Sequence, residues 1–400
     1  MRILQVHNRH EEQGGADAVV AAERAQLEGA GHHVRQVLYG PASQIGLNPL
    51  RMGLAAVWNP TAVGLVREAI TEFSPDVVHV HTPFPVVSPA VFRACGDLPR
   101  VMTAHSFRLA CIAGTCRRSG TICEDCIGSR TKLSGIRHRC YHKSLPGSAS
   151  LTLSLVGHRA LGTFSNQVDR YIALTPFARD LLVRDGFRSH KVTVKPNAVA
   201  DPGSPIPASD REPFVLFVGR LVEEKGVRTL LNAWRGCDWE LRVAGDGPLR
   251  ALVDEAARGN PAIRPLGWRS EDELRELQAT ATATVVPSEW YEAGEPLVLL
   301  QALAAGTPSI SCDLENISGV VAAREAGWTF KTADAASLRG VVDAVRSLRH
   351  GDVWQLHSRN ARALYLDKHT PSASLRGLED IYRGVLVERG KGRTVESVGG

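Results

Sequence analysis

The stretch TATVVPSEWYEAGEPLVLLQALAAGTP, Thr282–Pro308, sets two apolar runs around a turn that carries three carboxylates. The first run is rich in β-branched residues, which fit a pleated strand. The second is built of leucine and alanine, which favour a helix, and Pro296 suits the first helical position. A buried strand feeding a buried helix is the repeating unit of a parallel sheet covered by helices. Glu289, Glu292 and Glu295, with Trp290 and Tyr291 among them, therefore fall where a strand ends and a helix begins.

The alternation continues outward on both sides. In the second half FVLFVGR (Phe214–Arg220) reads as a strand and GVRTLLNAW (Gly226–Trp234) as a helix. ELRVAGDGP (Glu240–Pro248) is strand plus turn, and PLRALVDEAA (Pro248–Ala257) the next helix. Ser270 with Glu273 three residues on predicts a capping box. In the first half RILQVH, HVRQVLY, PDVVHVH, RVMTAH, DRYIALT and KVTVKPN read as strands. Helices are predicted over about Ala16–Gly29 and near Val87–Ala94. Asn197–Pro213, rich in Pro, Ser and Asp and without periodicity, is the best linker.

The expectation is an α/β protein of two Rossmann-like, doubly wound parallel-sheet domains, since 400 residues exceed one ordinary core. The predicted boundaries are residues 1–198, a linker at 199–213, a second domain at 214–365, and a helical segment and tail at 366–400 that return to the first domain. From about residue 108 to 150 the alternation breaks. That stretch is basic and holds five of the eight cysteines, so it reads as an insertion in the first domain.

A net charge of +5 and a pI near 8.8 suit anionic substrates or an anionic membrane surface, and are too weak to imply nucleic acid. No apolar run is long enough to span a bilayer, and the N-terminus turns polar too soon for a signal peptide, so a cytoplasmic protein is expected. Eight cysteines in a chain of this length fit a reducing compartment.

Ligands of open parallel sheets bind outside the carboxyl ends of the strands. After the strand Phe214–Arg220, Arg220 and Lys225 suit a diphosphate, gripped bidentately by the guanidinium and by a point charge from the ammonium. Solvated surface cations are the plain alternative. AGDGP, with Gly245, is a tight turn that lets backbone approach a ligand. In the quoted stretch Glu295 is read as helix capping, Glu289 as a solvated loop residue, and Glu292 as the carboxylate placed to hold a sugar diol. The loop with Gly14 and Gly15 lacks the spacing of a nicotinamide site. His79, His81 and His105 lie at strand ends, where a structural role is the default.

With these residues assembled, the chain resembles the retaining glycosyltransferases of family 4, which have the GT-B fold of two doubly wound domains facing a cleft. The resemblance is carried by GGADAVV, PDVVHVHTPFP, TAHSFRLAC, VKPNAV, VGRLVEEKG, AGDGP and the quoted stretch, in that order. It implies that Arg220 and Lys225 bind the donor diphosphate, that Gly14 and Gly15 lie against phosphates and sugar, and that His105 contacts the transferred sugar. The family's two glutamates, separated by seven intervening residues, contact the sugar and the nucleotide ribose. They fall here on Glu292, with one extra loop residue, and on Gln301, a neutral substitute. DLENISGVV departs from the usual pattern after the next strand, leaving donor specificity open.

The insertion resembles that of a subgroup with Cys111, Cys123, Cys126 and Cys140. Structural zinc, reduced buried thiols and disulfides are all open readings. Arg117, Arg118, Arg130, Lys132, Arg137, Arg139 and Lys143 are expected to rim the acceptor site, touch an anionic membrane or form a solvated face.

The implied reaction moves a hexose from a nucleotide diphosphate sugar, the co-substrate, to a saccharide or lipid-linked acceptor in bacterial polysaccharide or glycoconjugate synthesis. It keeps the anomeric configuration and needs no catalytic cofactor. Catalytic roles fall to His105, Glu292, Arg220 and Lys225, and donor binding extends to Gly14, Gly15, Gly245 and Gln301. The rivals are a nucleotide-sugar-binding protein without turnover, a transferase acting on a small natural product, a nucleotide-sugar isomerase, and a zinc module for nucleic acid. The last leaves both alternating domains unexplained.

Overall fold

The structure, a computed structural model, describes residues 1–9, 14–40, 46, 48–349 and 351–390. Residues 10–13 of the expected glycine loop and the tail at 391–400 lie outside the described residues. The chain divides into two compact units. The first comprises Met1–Thr115, Glu124–Lys195 and the chain from Leu375, and the second Cys116–Cys123 and Pro196–Ser374.

The first unit is built on β1 (Arg2–Asn8), β2 (His33–Tyr39), β3 (Val77–Thr82) and β4 (Arg100–Ala104). The insertion carries a two-stranded antiparallel hairpin, β5 (Arg117–Arg118) with β6 (Thr121–Ile122). The main sheet is completed by β7 (Arg170–Ala173) and β8 (Val192–Val194), in the order β2-β1-β3-β4-β7-β8. All its pairs are parallel. β1 and β3 are buried almost without alternation, because helices cover both faces of the sheet.

The helix Gly15–Gly29 sits where its period placed it. The helix expected near Val87–Ala94 is instead a 3-10 segment, Pro89–Cys95. The helix Pro371–Glu388 returns to this unit, setting Leu378, Tyr382 and Val385 into the core formed by Ile3, Leu27, Val101 and Ile172.

The second unit carries β9 (Glu212–Val218), β10 (Glu240–Ala244), β11 (Ile263–Gly267), β12 (Ala281–Val286), β13 (Ser309–Cys312) and β14 (Gly327–Phe330), ordered β11-β10-β9-β12-β13-β14. These pairs are parallel too. The strand and helix read from the opening stretch are β12, buried along its whole length, and Leu297–Ala304. Its core centres on Trp234, fully buried with its indole N–H donated to Trp239 O at 2.8 Å. The capping box at Ser270 is present, with Glu273 bonding back.

In each sheet the strand order reverses between two central neighbours, β1 and β3 in one and β9 and β12 in the other. Loops leaving the carboxyl ends of such neighbours diverge and open a crevice there.

Candidate functional site

In the second unit the loop after β9 holds Gly219 and exposed Arg220, a 3-10 turn over Glu223–Lys225, then Gly226 and the helix Val227–Ala233. Gly226 has φ +68°, and a Cβ there would lie 1.8 Å from Pro287 O, so the loops after β9 and β12 touch backbone to backbone. Glu289, expected to be solvated, is instead a strut between them. Its backbone N–H donates to Glu224 O at 2.8 Å, and its carboxylate accepts from the Thr229 hydroxyl at 2.6 Å.

The join brings two of the expected site residues together. Lys225 Nζ lies 2.5 Å from Glu292 Oε1, which also accepts from the Trp290 indole at 2.9 Å and the Ser288 hydroxyl at 3.1 Å. Asn316 fixes the same residue by donating to its carbonyl at 2.8 Å. The Lys225 ammonium stands 5.7 Å from the Trp290 ring centre, within cation–π range. The pair keeps some solvent exposure on both partners. An anion arriving beside Arg220 therefore finds a lysine already held in place by a carboxylate.

Gly245 has φ +139°, and a Cβ on it would fall 1.9 Å from Gly219 O. The AGDGP turn is locked to the Arg220 loop, with Gly219 N–H donated to Ala244 O at 3.1 Å and Leu221 N–H to Asp246 O at 2.8 Å. Gln301 lies on the helix Leu297–Ala304, where its carboxamide oxygen accepts from Gln278 at 3.3 Å.

Glu295 corrects the sequence reading. The helix starts at Leu297 with Pro296 as its cap residue and no side-chain cap bond. The Glu295 carboxyl is buried, one of its oxygens has no hydrogen-bond partner, and burial pushes its pKa up to about 7.

In the first unit the switch-point strands end in His7 and Asn8 on β1 and His81 on β3, with His105 just past β4. His7 Nε2 lies 3.0 Å from Asp17 Oδ1, while Asp17 Oδ2 accepts the Gly14 N–H at 3.2 Å. Gly14 and Gly15 thus begin a helix whose first turn is fastened to β1.

Behind them runs a buried polar line that the sequence reading missed. His105 Nε2 meets His81 Nδ1 at 3.1 Å, and His81 Nε2 lies 3.7 Å from Glu23 Oε2. Lys195 Nζ lies 2.7 Å from Glu23 Oε1. His79 is taken up by Tyr382 at 2.7 Å and Thr103 at 2.8 Å. Burial alone would raise the Glu23 carboxyl, but the Lys195 ammonium against it holds it below its usual value. Burial, helped by His79, drives His81 well down, so it is neutral at pH 7. One sequence signal pointed here: Glu23 falls on the buried stripe Val19, Val20, Leu27 of its helix.

Glu23, His79 and His81 could by distance hold a metal ion. They do not fit one chemically, because both His79 nitrogens are engaged and an ammonium already occupies Glu23. None of the eight cysteines forms a disulfide, and among the described residues no three of them come within reach of a common ion. Lys132 departs from the basic rim expected of the insertion. It is fully buried, paired with Asp185, which also takes Arg159 and the Gly128 N–H.

Two six-stranded parallel sheets, each with an order reversal, and in the second a lysine–carboxylate pair on the same loops as an exposed arginine, define an α/β protein of doubly wound design. Residues 13–201 match the profile described as Glycosyltransferase Family 4, and residues 212–348 that described as Glycosyl transferases group 1. The chain belongs to glycosyltransferase family 4, and its fold is GT-B.

It is similar to the alpha-D-kanosaminyltransferase of Streptomyces kanamyceticus, 29% identical over 44% of this chain and 47% of that one. The D-rhamnosyltransferase WbpZ of Pseudomonas aeruginosa is 26% identical over 80% of this chain and 77% of its own. Over the first of these relatives the match spans less than half of the relative's length. Among solved structures, the sucrose-phosphate synthase of Thermosynechococcus elongatus superposes with a TM-score of 0.70 at 18% identity, covering 97% of this chain and 100% of that chain.

Proposed function

We propose that the protein is a retaining glycosyltransferase that moves a hexose from a nucleotide diphosphate sugar to a hydroxyl of a saccharide or lipid-linked acceptor. The observation that carries the reading is the Lys225–Glu292 pair beside exposed Arg220, on the two loops that leave the order reversal of the second sheet. Breaking a glycosyl–phosphate bond loads negative charge onto the departing diphosphate. Arg220 and Lys225 stabilise that charge where a metal otherwise might. Glu292, held in place by Lys225, holds hydroxyls of the transferred sugar, and Gln301 holds the ribose as a neutral partner. His105 contacts the sugar, with Gly14 and Gly15 against the phosphates and Gly245 in the donor loop. The leaving phosphate takes the acceptor's proton. The two relatives, named for transfer of a kanosaminyl and a rhamnosyl group, support sugar transfer, and we place it in polysaccharide or glycoconjugate synthesis, with a small natural product as the alternative acceptor.

A nucleotide-sugar-binding protein without turnover is the second reading, favoured by the neutral Gln301 and its engagement by Gln278. Incubation with a panel of nucleotide sugars decides between them. A transferase releases nucleoside diphosphate from at least one donor, and the sugar's anomeric signals keep their configuration. Saturable binding without release favours the second reading, and an inverted product removes the retaining mechanism.

A further inference from the structure

The first unit exposes a group of leucines that its own core does not use. On the helix Pro49–Val57, Leu50 and Leu54 are 74% and 63% exposed, one turn apart. The helix Leu145–Ala160 packs beside it, with Gly53 so close to Ser150 that a Cβ would lie 2.7 Å from the hydroxyl. Next to that seam Leu153 is 61% exposed, and Leu145 opens the same helix half exposed. The short helix Leu133–Arg137 packs on it in turn and exposes Leu133. A monomer gains nothing by exposing such a group in water, so a group of this kind marks a contact surface.

The surrounding charge says what the contact is. Residues 29–67 and 129–168, which supply these helices, contain no Asp or Glu at all. Arg51, Arg137, Arg139 and Lys143 are exposed there, and none forms a salt bridge among the described residues. Leucines flanked by unpaired cations on stretches of chain without carboxylates match the boundary of an anionic bilayer, where alkyl groups enter the acyl region and cations meet headgroups. A protein partner has no requirement for the carboxylate-free stretches. No described helix is long and apolar enough to cross a membrane, so the contact is made at the surface.

We propose that this two-helix face, with the adjoining Leu133–Arg137 turn, docks the protein on an anionic lipid surface. The proposal stands independently of the reaction assigned above. Its test is co-sedimentation of the full chain with phosphatidylcholine vesicles containing phosphatidylglycerol, against phosphatidylcholine alone. The expected result is sedimentation with the anionic vesicles only, weakened by salt. The triple variant Leu50→Glu, Leu54→Glu, Leu153→Glu should lose about ten-fold or more of that binding while keeping its melting temperature and donor turnover. Three results would overturn the proposal: no sedimentation of the wild type, equal binding to neutral vesicles, or undiminished binding of a folded triple variant. A dimer in lipid-free solution that the triple variant abolishes, without lipid binding, would assign the face to a second copy instead.

Discussion

Lys225 and Glu292 fix each other's position. The ammonium lies 2.5 Å from a carboxylate oxygen that also accepts from Trp290 and Ser288. Replacing Lys225 with Ala should lower kcat/KM for donor turnover by about 10²–10³-fold, the scale of removing one charge-stabilising group. The pair is mostly buried, so the same change, which leaves the carboxylate with only its Ser288 and Trp290 donors, should also cost about 1–3 kcal/mol in urea unfolding.

Glu295 should behave in the opposite way. Its folded pKa of about 7 lies above the ordinary carboxylate value, so the folded state holds that proton more tightly than the unfolded chain. Stability therefore falls as pH rises from the unfolded pKa toward about 7, and the full penalty is present above it. Glu295→Gln should thus stabilise the protein at pH 8, by up to about 3 kcal/mol, and hardly at all near pH 4. Equal gains at both pH values in denaturant titrations would show that ionisation is not the cause.

At the scale of elements, the loops around the site are set by backbone contact more than by side chains. Gly245→Ala forces a Cβ toward Gly219 O at a φ that only glycine adopts readily. It should cost about 1–3 kcal/mol and weaken donor binding together with stability. Tyr382→Phe on the returning helix removes the partner of a buried histidine nitrogen and should cost about 1–3 kcal/mol, read by thermal unfolding.

What the sequence disclosed follows the same division. The β12–helix unit, the Gly15–Gly29 helix and the Ser270 capping box were legible, because period and capping are local signals. The proximity of Lys225 and Glu292 followed from placing both on switch-point loops. The Lys132–Asp185 pair was not legible, since its partners lie 53 residues apart and nothing local marks either as buried. Lys195 with Glu23, 172 residues apart, is the same case, although Glu23's place on an apolar stripe was a clue. Glu295 was misread because its distance from the helix start suggested capping, whereas the loop turns its carboxyl into the interior.

At the scale of the molecule, two sheets of the same parallel, order-reversing design carry different chemistry at equivalent positions. The first unit sets histidines over a buried Glu23–Lys195 pair, and the second sets a lysine against a carboxylate that keeps some solvent exposure. Replacing Glu23 with Gln strands Lys195 in the core and should destabilise the first unit by about 3–5 kcal/mol in chemical denaturation.

Calorimetric titration of nucleotide diphosphate sugars into wild type and Arg220→Ala bears most directly on where the diphosphate binds. At least one donor should bind the wild type, with affinity lower by about ten-fold or more in the variant and an unchanged melting temperature. Equal donor affinity in the two proteins would contradict the assignment of the diphosphate to this loop.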